Sequence, residues 1–138
     1  MNKIRIKQIN SFHMEAVNED GNSVSIDAAS QIGGTGKGMR PMQVLLSALG
    51  GCCYIDVLSI LGKQKQFVKN IHLTLEGARE KKKTGANIYK TIHIHFEMKG
   101  DLDASKVERA IDLSLNKYCS VAMSLSEKTT ITYSFEIV

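Results

Sequence analysis

The stretch from Pro41 to Leu61 constrains this chain more than any other, because it reads as one helix whose apolar residues do not keep to one face. Met42, Leu45, Leu46, Leu49, Cys52, Cys53, Ile55 and Leu58 together cover most of the circumference. A helix that is apolar nearly all round needs cover on every side, so it belongs at the centre of a fold, partly under a second chain. Pro41 suits the first turn, where an N–H would have no partner, and Gly62 is the expected stop. The length raises the question of a membrane span, but Ser47, Asp56, Ser59 and the adjacent glycines 50 and 51 favour a buried helix of a soluble protein.

Around this helix the pattern alternates. Ile4 and Ile6 alternate with Lys3, Arg5 and Lys7, and two further runs, Phe12 to Val17 and Val24 to Ala28, flank the turn cluster Glu19-Asp20-Gly21-Asn22. These runs predict an opening antiparallel sheet. A loop with Gly33, Gly34, Gly36 and Gly38 then delivers the chain through Arg40 into the helix. Ile71, Leu73 and Leu75, and later Ile92, Ile94, Phe96 and Met98, have the period of strands in a hairpin around Lys81, Lys82, Lys83 and Gly85.

A second helix is expected from the Asp101 to Ser105 region to about Lys117, with Val107, Ala110, Ile111 and Ser114 inward and Ser105 with Glu108 as a capping box. Ser120 is the expected cap of a short helix over Val121 to Leu125, and Ile131 to Ile137 alternates as a closing strand. The sequence is read as a single α+β domain over residues 1–138.

Composition excludes several classes. At 138 residues and 43% hydrophobic, the chain can build a core without staples and is not a disordered tail. Three cysteines, two of them adjacent, do not form a secreted disulfide framework. Met1 to Asn10 lacks the apolar run of a signal peptide, so the cytoplasm is expected. The net charge of +4 is concentrated in the lysine turn, and aromatic residues make up only 6%, so no stacking platform for nucleic acid is present. Neither nucleic acid nor membrane is an expected partner.

The chemistry points to the thiols. Gly50 and Gly51 each cost about 1 kcal/mol against alanine inside a helix, and they sit directly before Cys52. Cys52 and Cys53 diverge by about 100° on the helix, so one is expected to face a site and the other, Cys53, to pack. Cys119 lies 67 residues after Cys52, at a junction between two predicted helices, where backbone N–H groups favour an anion. Asp56 shares the Cys52 face and is expected to pair with a cation of a partner chain. His72, His93 and His95 are read as a polar sheet face, and no metal site is expected.

The run Gly38-Met39-Arg40-Pro41-Met42-Gln43-Val44-Leu45-Leu46-Ser47-Ala48-Leu49-Gly50-Gly51-Cys52, followed by Asp56 and by Tyr118-Cys119-Ser120-Val121, resembles the OsmC/Ohr family, and within it the OsmC-like branch. The resemblance covers nearly the whole chain. It implies an OsmC-like fold, antiparallel sheets packed on long central helices in an intertwined homodimer, with active sites at the subunit interface. It also implies a Cys-based peroxidase: Cys52 attacks an organic hydroperoxide, Cys119 resolves the sulfenic acid, and an external dithiol, dihydrolipoyl in some members, restores both thiols. No bound cofactor is implied.

Two positions depart from the peroxidase members. Their glutamate ten residues before the reactive cysteine is Met42 here, beside Gln43, and their strand arginine has no counterpart between Val24 and Gln31, where Asp27 lies instead. Arg40 is therefore the expected cation for Cys52, with Met39, Met42, Gln43, Leu49 and Met123 lining a pocket for an alkyl tail. The alternative is a binding protein for an apolar or acyl ligand, in which the cysteines do not cycle.

Overall fold

The computed structural model of the chain describes residues 1–125 and 127–138. Two compact units emerge, Met1–Ser47 and Ala48–Val138. In the first, β1 (Arg5–Asn10), β2 (His13–Val17) and β3 (Ser23–Ile26) form an antiparallel sheet in that order. The β2–β3 turn closes on Asn18, whose side-chain oxygen accepts the N–H groups of Asp20 and Asn22, and Gly21 takes the left-handed backbone that the turn needs (φ 86°).

The glycine loop is organised by Asp27, buried directly after β3. One carboxylate oxygen accepts the Ala28 N–H, and the other accepts the Thr35 N–H, the Thr35 hydroxyl and the Lys37 N–H. These bonds, the Thr35 hydroxyl foremost, pull the Asp27 carboxyl down to about 2. Gly34 and Gly38 are fixed by close approach, since a Cβ at either would run into backbone, of Ala28 and of Ser25 and Ile26 respectively.

The long helix α1 spans Pro41–Lys63, running one residue past the stop expected at Gly62. Gly62 has open space around it and does not carry a left-handed backbone; that conformation falls on Lys65 (φ 59°), where the chain turns out. Burial in α1 is narrower than the sequence suggests. Leu49, Cys53, Val57 and Leu61, spaced by four, are fully buried, whereas Tyr54 and Ile55 keep 41% and 67% of their surface exposed. By length and composition α1 could cross a membrane, and it is the one such helix among the described residues.

In the second unit β4 (Asn70–Lys81) and β5 (Asn87–Lys99) form the expected hairpin, and β6 (Thr130–Ile137) adds to β5 in parallel, so this sheet is mixed. Register lines Leu73, Phe96 and Phe135 into one cross-strand row and Ile71, Met98 and Ile137 into another. Ile92, Ile94, Phe96 and Met98 of β5 are buried to within 1% and form the floor of the core. Leu75 of this face meets α1 at Gly50, where a Cβ would stand 2.8 Å from the leucine Cδ1.

Helix α2 covers Ala104–Leu113 and presents Val107, Ala110 and Ile111 inward, as its periodicity predicts. Its cap is Asp103, which accepts both the N–H and the hydroxyl of Ser105, so the capping box assigned to Ser105 and Glu108 does not form. The Asp103 carboxylate, two residues before Ser105, takes the first-turn donor. One π-helical turn, Ser114–Tyr118, then widens the backbone before α3 (Ser120–Leu125).

Candidate active site

Three thiols and one carboxylate converge where α1 meets the π-turn. On α1, Cys52 and Asp56 are one turn apart and half-buried, while Cys53 is fully buried. The π-turn brings in the other side: the Cys119 N–H bonds the Ser114 carbonyl at 2.7 Å, a five-residue closure that directs Cys119 inward. The ligand atoms of Cys52, Asp56 and Cys119 all lie within 4.8 Å of one another. Cys53 Sγ stands 3.8 Å from Cys119 Sγ.

That last distance corrects one expectation. The 100° separation of Cys52 and Cys53 was to leave only Cys52 facing Cys119, yet both sulfurs reach it. Cys119 enters from the facing turn between the two α1 directions, so rotation on one helix does not exclude either neighbour. Cys53 does sit in the core stripe, as a packing residue would.

Burial decides the state of two of the thiols. It pushes the Cys53 thiol up, against the hydrogen-bond contacts it makes with Ser114 and Cys119. Burial also raises Cys119, strongly, and a hydrogen bond to the Cys52 sulfur adds to it, because Cys119 supplies the proton. The Ala122 N–H, donated to Cys119 Sγ at 3.4 Å, opposes the rise. Cys119, not Ser120, is therefore the cap of α3; its sulfur takes the first-turn donor that a serine hydroxyl was expected to take.

Asp56 finds its partner within the chain. The fully buried Ser114 donates its hydroxyl to Asp56 Oδ2 at 2.9 Å. Beside Asp56 opens a cavity of about 450 Å³, lined also by Ser59, Ile60, Lys63, Leu113 and Tyr118. Sequence reasoning places Ser114 only in the inner stripe of the second helix; a hydroxyl in an otherwise apolar stripe is the signal that a polar group faces it.

The fold that carries these thiols and the carboxylate is shared with known proteins. The OsmC-like protein family matches residues 34–134. The chain belongs to that family. The Escherichia coli K12 protein YhfA is 36% identical over 97% of this chain and 96% of its own. A hypothetical protein from Aquifex aeolicus has a TM-score of 0.83 at 26% identity, covering 100% of this chain and 98% of that one. The organic hydroperoxide resistance protein OhrB of Bacillus subtilis shares the fold at a TM-score of 0.72 and 14% identity, over 99% of this chain and 98% of its own.

In this OsmC-like chain the remaining expected site residues divide between the units. Met39, Arg40, Met42 and Gln43 belong to the first, Leu49 and Met123 to the second with the thiols. Arg40 and Gln43 are exposed and start α1 together, the Gln43 amide oxygen accepting the Arg40 N–H at 2.9 Å. This is half of a capping box, and it engages the Gln43 side chain locally. Met39 bridges to Ile26, and its sulfur accepts the Ser47 hydroxyl at 3.6 Å. Leu49 lies wholly inside the core stripe, while Met123 is 43% exposed on α3.

The histidines form a polar ladder on the sheet. His93 contacts the Thr132 and Ser134 hydroxyls at 2.7 and 2.9 Å, and His95 contacts Ser134 at 2.7 Å and Glu136 at 3.3 Å. Each ring nitrogen of the pair thus has a β6 partner, which accounts for the two residues as a hydrogen-bonded sheet face.

Proposed function

We propose that the protein is a thiol-dependent reductase of organic hydroperoxides, acting as a cytoplasmic homodimer. The Cys52 thiolate attacks the terminal oxygen of ROOH; the O–O bond breaks, a proton completes ROH, and Cys52 becomes a sulfenic acid. The Cys119 sulfur then attacks that sulfur, the sulfenic hydroxyl leaves with the Cys119 proton as water, and a disulfide joins the two. An external dithiol of the dihydrolipoyl kind reduces it by two exchanges and departs as its own disulfide.

The observation that carries this reading is the approach of a partly exposed Cys52 to a fully buried Cys119, their sulfurs within 4.8 Å, with burial pushing the Cys119 thiol up. The accessible thiol meets the oxidant, and the sheltered one holds the proton that the second step consumes. Met123, in the same unit as the thiols, is an adaptable apolar wall for an alkyl tail. The exposed Tyr54 and Ile55 on α1 support a second chain as cover.

The test is a free-thiol count and intact mass before and after one equivalent of an organic hydroperoxide. Loss of two thiols with only two hydrogens of mass is expected, and Cys52→Ser should cut hydroperoxide consumption at least about a hundredfold, as removal of a covalent nucleophile does. Unchanged thiols in the wild type would shift the assignment to the binding of an apolar or acyl ligand.

A further inference from the structure

We propose that Cys52, Cys119 and Asp56 also form a zinc(II) site, with Cys53 or solvent as the fourth donor. This does not rest on the hydroperoxide reading, although it uses two of the same sulfurs. Two sulfurs and a carboxylate oxygen already lie within 4.8 Å of one another. A tetrahedral site with Zn–S bonds of about 2.3 Å spaces its sulfurs about 3.8 Å apart, which is the separation of Cys53 and Cys119. Closing the others to that spacing takes side-chain movements of about 1 Å by the same geometry.

The charge pattern favours a cation over a thiolate alone. Asp56 carries a negative charge against the thiols, and the cation lining the cavity beside it is Lys63, two turns further along α1. Ionising two thiols there would gather three negative charges, which a divalent ion offsets and a proton on each sulfur otherwise must. The outer partners are those that metal sites use: the buried Ser114 hydroxyl holds Asp56 Oδ2, and the Ala122 N–H points at Cys119 Sγ. The mixed sulfur and oxygen set suits zinc better than soft Cu(I) or a hard cation. The cavity at Asp56 supplies the path in.

The experiment loads reduced, chelator-treated protein with zinc, removes free metal by gel filtration and measures zinc per chain; cobalt(II) substitution then reports thiolate ligation by its charge-transfer absorption. One zinc per chain and a thiolate-to-cobalt band are expected. Cys52→Ser and Cys119→Ser should each lower affinity at least a hundredfold, Asp56→Asn at least tenfold, and His93→Ala should leave it unchanged. Cys52 is half-exposed, so its variant is the one least exposed to a folding failure, and circular dichroism checks each. No retained zinc, no thiolate-to-cobalt band, full affinity in Cys52→Ser or Asp56→Asn, or loss in His93→Ala would overturn the site. Hydroperoxide-driven thiol loss is measured in the same protein with chelator present, so either result can fail while the other stands.

Discussion

Asp27 and Asp56 are acidic residues held by hydroxyls, one in each unit, and they serve opposite ends. Asp27 is sealed, its two oxygens accepting three backbone N–H groups and the Thr35 hydroxyl, all from the loop it organises. Asp56 has the Ser114 hydroxyl on one oxygen, thiols within 4.8 Å and a cavity at its side. A carboxylate whose bonds are used up by backbone donors fixes a fold; one bound on one side by a side chain and facing reactive groups is available for chemistry. Position in the sequence does not separate the two, since each stands near a glycine-rich segment that leads into or lies within α1.

The comparison breaks most visibly in two matched variants. Asp27→Ala should lower thermal stability clearly, because it leaves loop N–H groups without their acceptor, yet leave the thiol count after hydroperoxide unchanged once the protein is folded. Asp56→Ala should do the reverse: a small stability change, because Ser114 loses one partner, and an altered rate of thiol loss of at least several-fold. Differential scanning calorimetry beside thiol titration reads both. If Asp27→Ala changes the thiol chemistry and Asp56→Ala only the melting temperature, the roles assigned here are exchanged.

Acid sharpens the same contrast by a smaller amount. The Asp27 carboxyl titrates at about 2 in the folded chain and near 3.9 when unfolded. A group lowered by folding contributes stability above its unfolded value and loses it as the pH falls through the folded one. Its contribution should therefore be whole above about pH 4 and gone below about pH 2. Asp27→Asn should flatten the acid limb of a stability profile in that window, and a wild-type profile already flat from pH 4 to pH 2 would contradict the assignment.

What the sequence made legible follows from the kind of interaction. The period-two run of β5 is legible because burial on one face selects alternate residues, and Val107, Ala110 and Ile111 fall inward on α2 through the helical period. Caps were less legible. Among the caps that Asp101, Asp103 and Ser105 offer, Asp103 takes the place, and Cys119 takes the one expected of Ser120, since several short polar side chains compete within one turn. The pairing of Cys52 with Cys119 was carried by family resemblance, whereas the approach of Cys53 to Cys119 and of Ser114 to Asp56 needs the π-turn, which no local pattern announced.

The adjacent glycines before the thiols give the smallest effect and the finest test of which side of α1 is covered. A Cβ on Gly50 would meet Leu75 Cδ1 at 2.8 Å, a flexible tip that can rotate, so the overpacking cost is offset by the gain in helix propensity of about 1 kcal/mol. A Cβ on Gly51 meets nothing within 4 Å, and only the propensity gain remains. Gly51→Ala should therefore raise stability by up to about 1 kcal/mol, and Gly50→Ala should change it by less than that in either direction. The measurement is urea unfolding of both variants at two protein concentrations. If Gly51→Ala instead destabilises, and does so more at the concentration where the chain is most associated, the surface of α1 around Gly51 is packed against a second chain, and the glycine is there for that contact.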